Sequence, residues 1–363
     1  MKILSWVLRT TLGLLFMFSG IIKLIDPKGT AYKLQEYFTA FEILGNHYLG
    51  GFLTSFFPYL HSLSTLLSIG LPVLEVVLGF CFLIWYKPKT TLFTTFVLLL
   101  FFGFLTGYSA ACNPYNTLGI SCVTDCGCFG DFLKLKPIHS FYKDIVFLLL
   151  AIPLLFVDQN NKVSNNKRND VAVIIVFILS ISFGCLNHWQ EPMIDFRPYK
   201  IGNNILEKMN DGIPAKVAYI MQKEGKEYTF DTYPKSKGYR FIKTVEVLPE
   251  KPATIHDFYL FDAQGNDVTN SILRMKNTFL VLKNTNECSE DDIKNINYIL
   301  TKDKKIKIIS NAPHTFGKLE NRFMLDETVI KTIMRTSPGI WEINKGVVVY
   351  KESLKVYLAN KNF

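Results

Sequence analysis

The chain has 363 residues, 49% of them hydrophobic and 20% charged, with a formal net charge of +9 and a mean hydropathy of +0.18. At roughly 150 residues per domain this length gives two or three domains, and the apolar fraction excludes a disordered or collagen-like chain. Charge is unevenly spread: 13 Lys/Arg and 9 Asp/Glu precede residue 189, against 40 and 31 in the whole chain. A membrane-like first half is therefore followed by a soluble second half. No run of five or six basic residues occurs, which argues against nucleic acid as a partner; the partner implied first is the lipid bilayer.

A membrane span needs about 20 mostly apolar residues. Residues 3–25, 64–86, 90–110, 139–157 and 171–187 meet or approach this, which predicts five spans. The stretch 31–62 is apolar and aromatic but broken by Gly50, Gly51 and Pro58. It reads as an amphipathic or interfacial segment, and whether 47–62 adds a further span stays open. The first stretch lacks a small-residue cleavage site and four more follow, so it reads as an uncleaved anchor rather than a secretion signal. Lys87 and Lys89, and then Lys162, Lys167 and Arg168, mark two loops as cytoplasmic by the positive-inside rule. That predicts a multi-pass protein of the cell inner (cytoplasmic) membrane with a cytoplasmic N-terminus. The loops at 26–62 and 111–138 then face outward. Two spans separate the second of these from the C-terminal half, so the two share one side.

Three patterns carry a resemblance: FSGIIKLIDP at 18–27, LPVLEVVLGF at 71–80 and CGCFGDFLKL at 126–135. Their order and spacing over residues 1–157 resemble DoxX/MauE-type membrane proteins, which implies a four-helix membrane bundle with 171–187 as a fifth span. MauE-type members are implicated in maturing methylamine dehydrogenase, a disulfide-rich periplasmic enzyme; that substrate is not carried over. Glu75 lies mid-span, where a carboxylate is expensive to bury. It reads either as a structural charge paired with Lys23 or a polar neighbour, or as an acid for proton or quinone chemistry. Lys23 itself is expected to snorkel to the interface.

Of seven cysteines, Cys112, Cys122, Cys126 and Cys128 fall in one outward loop. On an oxidising face these are expected to be disulfide-bonded, with three pairings open. A Cys126–Cys128 bridge closes a very small ring, and departures from easy disulfide geometry make a bond more reducible. Cys126 and Cys128 are thus the candidate exchanging pair, with Cys112 and Cys122 a shuttle or structural pair. Two structural staples fit the same pattern equally well. A zinc site is the weakest reading, because paired C-x2-4-C knuckles are absent, and no metal site is assigned. Cys81 and Cys185 lie in apolar spans, where thiols are usually inert. No cofactor is fixed by the sequence; quinone is the one the redox reading admits.

Residues 190–251 read as a linker and a small β-rich segment, with an exit linker at 190–212 and strands at 216–222, 227–231 and 240–247. Residues 252–363 resemble thioredoxin-like proteins of the TlpA and peroxiredoxin group. The expected order is a hairpin at 255–269, a strand at 278–284, a helix at 289–300, a strand at 306–310, then strand, helix and hairpin over 322–351. The resemblance places a cis-proline at Pro338, a candidate substrate-binding position. It also places Cys288 at the first position of the family's C-x-x-C pair, but Asp291 stands at the second, so dithiol chemistry in this domain is not expected. Cys288 remains a single-thiol candidate among acidic neighbours that disfavour a thiolate. His256 and His314 are isolated and read as structural.

The sequence thus predicts an α-helical membrane bundle followed by an α/β thioredoxin-like domain. The domains are a bundle at 1–157 with its cysteine loop at 111–138, a cytoplasmic loop and fifth span at 158–189, the linker and β segment, and an extracytoplasmic domain at 252–363. The expected function is an accessory thiol–disulfide redox or disulfide-maturation factor acting on extracytoplasmic protein clients. The alternative is a non-enzymatic membrane scaffold with structural disulfides and a redox-silent binding domain.

Overall fold

The computed structural model describes residues 2–48, 56–112, 123, 127, 130–133, 135–156, 167–213, 216–223, 226–230, 240–247, 253–283, 288–311, 316 and 318–361. The chain divides into two compact units, Met1–Asp195 and Phe196–Phe363.

The first unit is a helical membrane bundle. Its helices are α1 (Lys2–Ile25), α2 (Pro27–Tyr48), α3 (Phe56–Ile84), α4 (Pro88–Ala111), α5 (Pro137–Leu155) and α6 (Lys167–Trp189). All but α2 are long and apolar enough to cross a bilayer. Their outward faces carry large apolar side chains such as Phe93 (71% exposed) and Leu179 (62%), a surface that suits lipid and not water. The expected interfacial stretch 31–62 divides in two. Its first part belongs to α2, which buries Ala31, Leu34, Tyr37 and Phe38 at helical spacing. Its last part is the start of α3, eight residues earlier than hydropathy indicates. Pro58 does not block that start because it lies in the first helical turn, where the missing N–H has no intrahelical partner to lose. The α3–α4 reversal is tight, with Trp85 and Lys87 at φ 54° and 38° and Pro88 opening α4.

The second unit contains two sheets. β1 (Lys216–Lys223), β2 (Lys226–Phe230) and β3 (Arg240–Val247) form an antiparallel sheet in the order β2-β1-β3. Outside the sheet, the Thr254 N–H and hydroxyl donate to the Asp211 carboxylate at 2.7 and 2.6 Å. Those bonds hold the Asp211 pKa below the usual carboxylate range. The main sheet runs β6-β5-β4-β7-β8, from β4 (Lys276–Leu282), β5 (Lys307–Ser310), β6 (Arg322–Met324), β7 (Gly339–Asn344) and β8 (Val347–Ser353). β4, β5 and β6 are parallel; β7 and β8 are antiparallel additions.

Alternation along the strands sends side chains to two cores. Phe279, Val281, Ile309, Trp341 and Ile343 pack against α8 (Thr269–Leu273) and α10 (Glu327–Ile333). Leu280, Leu282, Ile308 and Ile340 pack against α9 (Glu290–Lys302) and α11 (Leu354–Asn360). The result is three layers, helix–sheet–helix.

Two segments differ from the sequence expectation. The exit linker is built into this unit from Phe196 onward. Tyr199 and Ile205 enter the core, α7 (Ile205–Met209) forms, and buried Arg197 donates to the carbonyls of Thr332 and Ile333. Residues 255–269 form no strand pair: the Asp262 carboxylate accepts from the N–H groups of Gln264 and Asn266, and a single bridge joins Phe261 to Asp267. α11 was not legible in the sequence pattern at all.

α9 starts on a reciprocal cap. Ser289 Oγ accepts from Asp292 N at 3.2 Å, and Asp292 Oδ2 accepts from Ser289 N at 3.2 Å. A Ser289→Ala substitution is expected to cost about 1 kcal/mol. It should accelerate amide exchange about five-fold in the first turn of α9, measured by mass spectrometry, while β4 amides stay unchanged.

Candidate functional site

The site begins with three glycines. A Cβ on Gly79 would lie 2.6 Å from the Gly13 carbonyl oxygen, and one on Gly20 would lie 2.7 Å from that of Pro72. Small residues let α1 and α3 approach backbone to backbone, as is common between membrane helices. One turn beyond Gly20 stands Lys23; one turn beyond Pro72 stands Glu75. Close packing therefore brings the two charges together, with Lys23 Nζ 2.5 Å from Glu75 Oε1. Lys23 is 6% exposed and Glu75 2%. Lys23 does not snorkel; its ammonium also stands 4.4 Å from the centre of the Phe102 ring.

A pocket of about 40 Å³ opens onto Lys23. One water needs roughly 10–15 Å³ in this measure, so there is room for a few. Its walls come from α1 (Lys23), α2 (Thr30, Lys33, Leu34, Tyr37), α3 (Leu71, Pro72) and α4 (Phe102, Leu105, Thr106), and Gly127 also lines it; Thr30 Oγ1 donates to the Asp26 carbonyl at 3.5 Å. The polar groups around it are engaged. Lys33 Nζ is 3.0 Å from Glu36 Oε2. Tyr37 Oη and Ser109 Oγ are 2.7 Å apart. Thr106 Oγ1 donates to Asp144 Oδ2 at 2.9 Å, and Lys143 Nζ lies 2.7 Å from the other oxygen of that buried carboxylate.

Several described residues of the cysteine loop anchor it to the same end of the bundle. Cys112 caps the C-terminus of α4 and is disulfide-bonded. Val123 is buried with Leu34, Tyr37, Phe38 and Leu105. Gly127, at φ +62°, lies against the Lys33 stem: a Cβ there would be 3.3 Å from Lys33 Cγ. A short 3-10 turn follows at Gly130–Phe132, and Phe132 stacks edge-on against Phe18 at 5.7 Å. Cys122, Cys126 and Cys128 lie outside the described residues.

The remaining sequence candidates are spread over the chain. Cys81 is buried and Cys185 half-buried, both free thiols. Cys288 is half-buried against the core shared by α9 and α11, and Asp291 is an exposed partner of Lys294 at 3.6 Å. Ser337–Pro338 is cis, and Ser337 Oγ accepts from Lys283 N at 3.0 Å, so that turn stands beside the end of β4. His256 Nδ1 is 3.3 Å from the Ala253 carbonyl; His314 lies outside the described residues. Sequence reasoning missed Lys33, Phe102, Thr106, Gly127 and Asp144. Asp144, a lone carboxylate heading an apolar run, was the one detectable signal.

No curated protein and no solved structure matches the chain. Residues 1–157 match the family model described as methylamine utilisation protein MauE. That N-terminal region is of the MauE type, and the chain is a multi-pass membrane protein.

Proposed function

We propose that this protein is an accessory thiol–disulfide redox or disulfide-maturation factor for cell-envelope proteins. The observation that carries this reading is Gly127. It is the residue between Cys126 and Cys128, and it lines the same pocket as Lys23, whose buried ammonium is paired with Glu75.

In the proposed reaction a client thiolate attacks the Cys126–Cys128 disulfide. One client–loop S–S bond forms as the loop bond breaks. The second client thiolate then displaces the loop thiolate, leaving an oxidised client and a reduced loop. Two electrons and two protons have moved to the loop. Cys112 and Cys122 serve as shuttle or stabilising partners.

The C-terminal unit is proposed as a thioredoxin-like client-binding domain on the outer face of the inner membrane. Its β6-β5-β4-β7-β8 order supports the fold reading, and the parity of five apolar helices supports the shared side. Asp291 in place of a second cysteine supports a domain without dithiol chemistry, with Pro338 near the client surface and Cys288 a single thiol. A scaffold reading is favoured by one observation: the Cys112 disulfide at the end of α4 fits a loop staple equally well.

Thiol trapping separates the two. Cells carrying Cys126→Ser are quenched in acid, alkylated and run without reductant. The redox reading expects mixed disulfides with envelope proteins that disappear on reduction and are absent from Cys81→Ser cells. No trapped species, together with loop disulfides that resist mild reductant, sinks it in favour of the scaffold.

A further inference from the structure

We infer that the pocket beside Lys23 is a water-filled proton inlet, through which buried Glu75 takes up a proton from one end of the bundle. The inference goes beyond the redox reading and uses none of the loop cysteines.

Size and lining set the occupant. At about 40 Å³ the pocket holds a few waters. Apolar cavities stay empty, whereas polar ones of this size hold water. Here Lys23, Thr30, Lys33 and Thr106 interrupt the apolar lining. Lys23 has three N–H donors and gives one to Glu75 Oε1. Thr106 gives its hydroxyl proton to Asp144, which leaves its oxygen able to accept from a water. One wall reaches the bundle surface: the Lys33 side chain is 31% exposed and Thr30 is half-buried, whereas Lys23 is buried. The Lys33–Glu36 pair marks that surface as aqueous, because charges avoid lipid.

The charged groups around Glu75 are few. α1 contributes Lys23, α2 the Lys33–Glu36 pair and α5 the Lys143–Asp144 pair. The α4 side chains on the pocket are uncharged, as are Ser180, Gly184 and Asn187, the residues that α6 buries. Asp144 does not line the pocket, since Thr106 stands between. Lys23 lines it directly and holds Glu75, so the inlet leads to that carboxylate.

The transfer balances. A proton arrives on a pocket water. Lys23 passes its shared proton to Glu75 Oε1, so an N–H bond breaks and an O–H bond forms, and Lys23 takes the arriving proton from the water. The pair gains one proton and no electrons, and unloads by the reverse steps. In the loaded state Glu75 is neutral and Lys23 is still an ammonium. The Phe102 ring, its centre 4.4 Å from Nζ, and the waters then solvate that charge.

The test uses the full chain in phosphatidylcholine nanodiscs and has two readouts. Hydroxyl radicals generated by X-rays label side chains beside bound water. Leu34, Phe102 and Leu105 should be oxidised about ten-fold faster than lipid-facing Phe93 and Leu100. Dicyclohexylcarbodiimide, which is lipid-soluble, activates carboxyl groups in their protonated form. It should modify Glu75, as an acylurea or as an amide to Lys23, and faster as the pH falls through the neutral range. Leu34→Phe and, separately, Leu105→Phe fill the pocket from α2 and from α4. Either variant that keeps the parent's helicity and monodispersity should lose the water labelling at Phe102 and about five-fold in Glu75 modification. In the parent, pocket labelling no faster than at Phe93 and Leu100 overturns the inference, because the pocket is then dry. So does Glu75 left unmodified at every pH, or modification that falls on Asp144 instead. Full Glu75 modification in a filled variant that has lost the water labelling overturns it as well.

Discussion

A Glu75→Leu substitution is expected to destabilise the bundle by about 3–5 kcal/mol, the usual cost of leaving one member of a buried ion pair without its partner. Lys23 is 6% exposed, so its ammonium would then lack a carboxylate in the interior of the bundle. Lys23→Met is expected to cost a similar amount, for the mirrored reason. The Lys23→Met/Glu75→Leu double variant is the informative one. Two apolar side chains of similar volume replace the pair, so stability should return to within about 1 kcal/mol of the parent, or exceed it. Reversible unfolding in mixed micelles, followed by circular dichroism, measures all three. Additive losses in the double variant would show that the two side chains do not share one interaction. A double variant that is stable yet inactive would separate what the pair does for folding from what it does for chemistry.

The second large effect is steric. Gly79→Ala and Gly20→Ala place a methyl group 2.6 and 2.7 Å from a backbone carbonyl of the facing helix. Backbone cannot move aside as a side-chain tip can, so each is expected to cost about 1–3 kcal/mol by overpacking. Both should also separate Lys23 from Glu75, because the same contact sets their distance. Gly70 and Gly103 provide the control. Both are helical, and a Cβ on either would have nothing within 4 Å. Alanine there should be neutral, or stabilising by up to about 1 kcal/mol, since glycine weakens a helix interior. The same micelle unfolding reports the contrast, and equal losses at all four positions would show that close α1–α3 packing is not the cause.

Much of the fold was legible because apolar length and strand alternation are strong local signals. The five spans follow from runs of Leu, Ile, Val and Phe, and the β4–β5 and β7–β8 segments from short apolar runs bounded by turns. The start of α3 was hidden because Gly50, Gly51 and Pro58 read as a break, although proline is tolerated in a first turn. The 196–213 segment looked like a linker because Arg197 and Asn204 are polar. Their bonds are to carbonyls and strands more than 130 residues away in sequence, which no local pattern encodes. The candidate site shows the same division. Glu75 stood out as a mid-span carboxylate, with Lys23 as one candidate partner. Lys33, Phe102 and Thr106 did not, because a half-buried lysine, a span phenylalanine and a helical threonine are ordinary until a pocket joins them.

Both edges of the five-stranded sheet carry chain from earlier in the sequence. At β6, Phe261 and Met324 exchange backbone hydrogen bonds at 3.0 and 2.8 Å. At the start of β8, Gly202 N donates to Val348 O, Val348 N to Asn203 O, and Ile205 N to Gly346 O, within 3.0 Å. Open strand edges invite addition of a foreign strand, the mode by which many domains capture extended peptides. A polypeptide docking at β6 or at the head of β8 would first have to evict these native pairs. Recognition by main-chain augmentation is therefore closed at these two places, and a guest arriving at either must be read through side chains.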